Sequence, residues 1–529
     1  MTPAARIESA ITLLSLIEAG SEPPDRAANR FFRERRFIGS KDRRAVGDLV
    51  YQVLRSRARL DWWCGHRARE AAHNEDPARE AAHNEDPARE AAHSEDPARE
   101  AGEDPTREAT RGEDQADEAA HGEDQADKAA HDKYQAVSRR RVIAALTIEH
   151  GAAAAAALFD GSTYGPAPLD RAELDLVQAL DGQPLDHAEQ TDWVRAELPQ
   201  WLLPLLRASL GAGLAQELAA LGRPAPLDLR VNSLKGDREA ARQALAAEGI
   251  EAAPMQFSPL GLRVAGRHRL PAVAAYRDGL VEVQDEGSQV VALLCDARPG
   301  LTVADLCAGA GGKTLALAAA MQGFGEERGR LVALDIDAAR LERARPRLAR
   351  AGLMGAGLTR AGLTGAGLTG AGLAEVEIRA ISEEDDGWLE GQAGVFDRVL
   401  VDAPCSGSGA WRRDPAARWR LTPTDLGRYR DLQRRVLTLA APLVKPAGRL
   451  IYATCSLLAG ENQEQLAAFL ERHGDFRPLA LAPLWAAVGL GGPCPAAGAA
   501  RAGELLLTPA RHGTDGFYVA VLERARPAA

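Results

Sequence analysis

Asp305-Leu-Cys-Ala-Gly-Ala-Gly-Gly-Lys-Thr314 follows the apolar run 301–304 and precedes the helical pattern LALAAAM, so it reads as a strand end, a glycine turn and a helix start. Glycines there let the backbone approach a ligand closely, and the first turn of a helix offers unpaired N–H groups. About 20 residues further on, Asp335 ends the next strand, LVALD, where a carboxylate can accept hydrogen bonds from a ribose diol. A nucleoside-containing cofactor is the reading that uses both features. A nucleotide-triphosphate loop needs Gly at position 307, which is Cys, and a dinucleotide fingerprint needs Gly at 314, which is Thr.

Outward from this turn, strands and helices alternate from residue 281 onward. The strand candidates are LTVADLCA, RLVALDID, VEIRAI, FDRVLVDAP, GRLIYATCS and, near the end, GFYVAVLER. That alternation is the signature of a mostly parallel sheet covered by helices. Two further constellations fall at strand ends, Asp402-Ala-Pro-Cys-Ser-Gly-Ser-Gly409 and Ala453-Thr-Cys-Ser456. Open α/β sheets bind ligands at the C-terminal ends of their strands, and a cysteine taken alone is usually an inert buried group. Two cysteines facing one crevice, one of them beside an acid, point instead to nucleophilic chemistry.

Upstream, LDLRVNSLK, GLRVAG and GLVEVQDEGSQ read as short strands around one helix, Asp237 to Glu248, giving a small α+β unit over 225–280. Residues 166–224 read as a helical linker. Residues 4–63 carry apolar positions at helical spacing, such as Ile7, Ile11 and Leu14, with a basic cluster in FFRERRFIGSKDRR. Tandem copies of AREAAHNEDP fill 68–133 without large apolar residues in the units, which predicts a flexible or marginally helical insertion. His73, His83 and His93 recur there every ten residues, which is no helix-face spacing, and no metal is expected. A second repeat, AGLMG to AGLAE over 351–375, reads as an expanded surface loop.

The net charge of −11 has a local origin, because 70–133 holds 21 acidic and 7 basic residues and the remainder is slightly positive. The six cysteines (64, 295, 307, 405, 455, 494) are scattered without a CxxC pair, so neither disulfides nor zinc are suggested. No apolar run reaches about 18 residues, and the first residues lack the order of a signal peptide. A cytoplasmic protein is the expectation; for oligomeric state a monomer is assumed.

Taken together, RVNSLK, VQDEGSQ, DLCAGAGGKT, LDID, DAPCSGSG, WRRDPAARW and YATCSLLAGENQ resemble the RNA cytosine-5 methyltransferase family of the RsmB/NSUN type, over roughly 225–529. Residues 4–63 and 134 to about 165 resemble, more distantly, the NusB-like helical RNA-binding domain of the RsmB branch. The resemblance implies a Rossmann-like methyltransferase domain over 281–529 with a mostly parallel seven-stranded sheet, a small RNA-binding subdomain over 225–280, and an all-α NusB-like domain over 1–165.

It implies S-adenosylmethionine as cofactor, held by Cys307, Ala308, Gly309, Ala310, Gly311, Gly312 and Lys313, with Asp335 on the ribose and Asp402 nearby. Family members carry an acid for the adenine amino group where this chain has AISEEDDG; Glu383 stands at the matching distance, with Asp385 or Asp386 as alternatives. Cys455 is implied as the nucleophile that adds to carbon 6 of cytosine, Cys405 in the release step, Asp402 at the pyrimidine edge and Lys313 as electrostatic support. RNA contacts are implied at Arg230, Asn232, Lys235, Arg412, Arg413 and Trp419. The NusB-like segment favours 16S rRNA over tRNA as substrate. A DNA cytosine-5 methyltransferase would carry its nucleophile in a PCQ motif, and a non-catalytic RNA-binding factor would leave both cysteines incidental.

Overall fold

A computed structural model of the chain describes residues 1–75, 132–266, 268–322, 329–353, 375–382, 386–495 and 503–526. Most of both repeats, and the candidate acids Glu383 and Asp385, lie outside the described residues. Two compact units are present, one formed by Met1–Gln200 with Asp414–Ala416, the other by Trp201–Arg413 with Ala417–Ala529.

The first unit is all helical. Its opening helix, Pro3–Ala19, starts where Thr2 accepts the Ala5 N–H at 3.1 Å and Pro3 occupies the first turn. Ile7, Ile11 and Leu14 then recur on one face and are buried. Helices Pro24–Glu34, Ser40–Arg55, Arg57–Glu75 and 132–150 complete a core around Phe31, Trp63 and Ile143. The helix ending at Glu75 runs into the first acidic repeat.

The second unit contains two sheets. In the small one, β1 (Leu227–Val231), β2 (Ala252–Pro254), β3 (Gly261–Val264) and β4 (Val281–Val283) pair antiparallel in the order β2-β3-β1-β4. Helix Arg238–Ala247, capped by Asp237 onto the Ala240 N–H, buries Ala241 and Leu245 among the apolar residues of β1 and β3. β2 was not foreseen: three residues ending in proline carry no alternation, and proline is tolerated there because β2 is an edge strand.

The large sheet holds β5 (Thr302–Leu306), β6 (Arg330–Asp335), β7 (Glu375–Ala380), β8 (Phe396–Asp402), β9 (Val444–Thr454), β10 (Phe476–Pro478), β11 (Glu504–Leu507) and β12 (Phe517–Arg524). Its order is β10-β12-β9-β8-β5-β6-β7, parallel from β9 to β7, with β12 antiparallel to β9. Seven strand positions result, and the last is shared end to end. β11 pairs Phe517–Ala520 of β12, and β10 pairs Leu522–Arg524. These two short strands went unread in the sequence because each is too brief to show a period of two. Strand order reverses between β5 and β8, and this switch point is where a doubly wound sheet opens a crevice.

Candidate functional site

Four strands converge on the crevice, and each delivers its motif at its C-terminal end. β5 is followed by the turn Cys307–Gly311, whose left-handed backbone at Cys307 (φ 75°), Gly309 (56°) and Gly311 (76°) folds it tightly before helix Gly312–Ala320. At Cys307 that conformation is strained, at about 1–3 kcal/mol for a non-glycine residue. A Cβ on Gly309 would stand 3.0 Å from the Arg340 guanidinium, and one on Gly311 2.8 Å from the Ala344 Cβ. The Cys307 and Ala308 N–H groups both donate to the Leu334 carbonyl of β6. Burial, followed by the neighbouring acid Asp335, pushes the Cys307 thiol up, so it stays neutral and inert.

Asp335 closes β6. Its carboxylate accepts the Gly309 N–H at 2.7 Å through one oxygen and the Asp337 N–H at 2.8 Å through the other. Each oxygen keeps a further acceptor position, and the group is fixed beside the glycine turn. A backbone cradle with an adjacent immobilised acceptor suits a nucleoside bearing a ribose diol. Beneath the cradle, Asp305 is fully buried; one oxygen accepts the Thr314 hydroxyl at 2.6 Å and the other has no partner. Burial, opposed by that hydrogen bond, lifts its carboxyl to about 7.

β8 and β9 bring the chemistry. Lys313, on the first turn of helix Gly312–Ala320, donates to Asp402 Oδ2 at 2.7 Å, and its ammonium lies 5.2 Å from the centre of the Phe517 ring. Burial disfavours the Lys313 charge, but the Asp402 carboxylate outweighs it and holds the ammonium above its ordinary value. The Cys405 and Cys455 sulfurs are 3.4 Å apart, both on half-buried residues. Cys405 is raised well above a normal thiol, first by its hydrogen bond to Cys455, then by burial and the charges around it.

The loops that carry the two sulfurs are locked together. Ala403 N–H donates to the Ala453 carbonyl and Gly409 N–H to the Cys455 carbonyl. Gly409 also crosses Gly516 so closely that a Cβ would stand 2.2 Å from the Gly516 carbonyl oxygen. Sequence alone assigned no role to Glu461, although YATCSLLAGENQ includes it, nor to Phe517 or Asp305. What marks the first and last is burial of charge, which no single-sequence pattern reports.

The residues expected to touch RNA fall differently. Arg230 is buried, donates to Gln284 at 2.7 Å and is lowered by burial to about 10. Asn232 is buried and donates to the Gly279 and Ala351 carbonyls. Lys235 is exposed but reaches the Asp278 and Arg350 carbonyls. Arg412 and Arg413 both pair with Asp515 and Asp285. These side chains already have partners within the fold, supplied by the segment around β4 and by the C-terminal segment. Trp419 is half-buried on helix Ala417–Arg420. Asp386 begins helix Asp386–Glu390.

Among the described residues no helix is long and apolar enough to cross a membrane, and no cluster of three metal-ligating side chains occurs. The family described as 16S rRNA methyltransferase RsmB/F matches residues 292–523, and its ferredoxin-like domain matches 198–270. A relative from Synechocystis sp., a probable ribosomal RNA small subunit methyltransferase B, is 32% identical over 357 residues, covering 67% of this chain and 72% of its own. The Serratia proteamaculans ribosomal RNA small subunit methyltransferase B is 33% identical over 284 residues, 53% of this chain and 59% of its own. The crystal structure of PH0851 superposes with a TM-score of 0.65 at 22% identity, covering 99% of each chain, which establishes the fold. S-adenosylmethionine is the cofactor. The chain belongs to the RsmB/F family of rRNA methyltransferases.

Proposed function

We propose that this chain methylates carbon 5 of a cytosine in RNA, with 16S rRNA as the substrate, through a covalent bond between Cys455 and carbon 6 of the base. The two sulfurs 3.4 Å apart at adjacent strand ends carry this reading. Carbon 5 of cytosine is a poor nucleophile until a nucleophile adds at carbon 6 and pushes electrons into the ring. Cys455 would form that bond. S-adenosylmethionine, when bound, supplies the methyl group as a sulfonium that carbon 5 can attack. Asp402 is tied to the Lys313 ammonium through Oδ2, which leaves Oδ1 for the pyrimidine edge, where a carboxylate favours a proton at N3. Cys405 would then serve release: having lost its own proton to solvent, its sulfur takes the proton from carbon 5 as a base, and the electrons of that C–H bond re-form the 5,6 double bond and expel the Cys455 thiolate from carbon 6.

Affinity for RNA would come largely from the helical unit. Arg33, Arg36, Lys41 and Arg44 are exposed around Phe37, which is 76% exposed. Basic residues neutralise phosphates, and an exposed ring offers a stacking face to an unpaired base.

Incubation with methyl-labelled S-adenosylmethionine and unmodified rRNA or tRNA, followed by bisulfite sequencing, tests the reaction. Label at carbon 5 of one rRNA cytosine supports it. Label only in tRNA would move the substrate, and no transfer to any cytosine would refute the reading.

A further inference from the structure

We propose that Glu461 is the positioning residue of the thiol pair, its buried carboxylate binding the residue after each cysteine so that one group sets the sulfur–sulfur spacing and places a negative charge behind Cys405. This deepens the two-cysteine reaction above and rests on it for its catalytic meaning. Glu461 is fully buried, so it cannot touch RNA or cofactor itself. Its carboxylate accepts four hydrogen bonds: from the Ser406 N–H at 2.8 Å, the Ser406 hydroxyl at 2.5 Å, the Ser456 hydroxyl at 2.5 Å and Gln433 Nε2 at 3.1 Å. The serine that follows each active-site cysteine thus has the same partner, which accounts for the recurrence of Cys-Ser in both motifs.

The group is itself held rigidly. Tyr452 of β9 donates its hydroxyl to the Glu461 carbonyl at 2.6 Å. Next door, Asn462 accepts from Thr454 at 2.6 Å and donates to the Ser456 carbonyl at 2.8 Å. Gln433 also donates to the Pro404 carbonyl at 2.9 Å, so helix Pro423–Ala440 braces the same loop from outside. Among the described residues no cation pairs with Glu461. A buried carboxylate satisfied only by neutral donors is costly relative to a neutral isostere, and a group needed only for packing would not have to be charged. The charge acts on Cys405, raising the proton affinity of its sulfur.

Two substitutions separate charge from spacing. In a Cys455→Ala background, the pH dependence of Cys405 alkylation by iodoacetamide is read by peptide mass spectrometry. Adding Glu461→Gln is expected to lower the midpoint by about one pH unit or more, since a like charge is removed. Glu461→Asp, with both cysteines present, keeps the charge but is too short to reach both serines. It is expected to leave the Cys405 midpoint in place while slowing diamide-driven Cys405–Cys455 cross-linking several-fold. Both variants should lower kcat for methyl transfer with little change in KM for S-adenosylmethionine. An unmoved midpoint in Glu461→Gln together with an unchanged cross-linking rate in Glu461→Asp would overturn the proposal. If Glu461→Gln does not fold, the Glu461→Asp cross-linking rate decides. Thiol shifts in a chain that methylates no RNA would uphold the positioning role and refute the reaction.

Discussion

Replacing Asp305 with asparagine should abolish a pH dependence of stability that originates beneath the glycine turn. The parent carboxyl is fully buried, accepts one hydrogen bond from Thr314, and is lifted by burial from 3.8 to about 7. Between those values the folded chain keeps a proton that the unfolded chain has released. Stability therefore is greatest below pH 4 as far as this group is concerned, and falls by about 1.4 kcal/mol per pH unit as pH rises toward 7. Above 7 the whole penalty for burying the charge is in place, on the order of 4 kcal/mol. Asparagine fits the same space and can accept from Thr314, while its amide nitrogen takes the place of the oxygen that lacks a partner, at about 1–3 kcal/mol. The difference between variant and parent should then grow in the variant's favour by about 2–3 kcal/mol between pH 5 and pH 8. In scanning calorimetry that corresponds to roughly 3–5 °C for a unit of this length. Parallel pH profiles of the two proteins would refute the reasoning.

Lys313→Met leaves Asp402 without its counter-charge and removes the cation from the crevice. Methyl transfer at saturating cofactor should fall about 10²–10³-fold, the usual cost of one preorganised charge. Gly409→Ala places a Cβ 2.2 Å from the Gly516 oxygen. The loop carrying Cys405 must shift, costing about 1–3 kcal/mol in stability, and the transfer rate should fall more than cofactor affinity does, as equilibrium dialysis of S-adenosylmethionine would show. Substituting Arg33, Arg36 and Arg44 by alanine together should weaken RNA binding and flatten its salt dependence, by about one logarithmic unit of slope for each phosphate no longer neutralised. Filter binding across salt concentrations reads this, and an unchanged slope would remove the helical unit from RNA recognition.

The catalytic sheet was legible because each of its parallel strands is a continuous apolar run with its motif at the C-terminal end, as in LTVADLCA and FDRVLVDAP. β2, β10 and β11 were not, being three or four residues long. Cys307–Lys313, Asp335, Asp402, Cys405 and Cys455 could be singled out from the turn glycines, the strand-end positions and the family resemblance. Their ordering within the site was not legible, since the 3.4 Å approach of the sulfurs depends on the register between β8 and β9. The pairing of the basic residues was illegible for a related reason. Arg230, Arg412 and Arg413 look like nucleic-acid contacts in a linear reading, yet their partners Gln284, Asp285 and Asp515 lie tens to more than a hundred residues away in sequence. Only the folded chain shows those charges already paired.

The proposed covalent role of Cys455 is tested most directly by trapping its bond to the base. Cys405→Ser, incubated with S-adenosylmethionine and unmodified rRNA and then digested, should accumulate a protein–RNA adduct that mass spectrometry places on the peptide containing Cys455. A Cys405→Ser protein that neither turns over nor forms an adduct, or an adduct on any other residue, would contradict it.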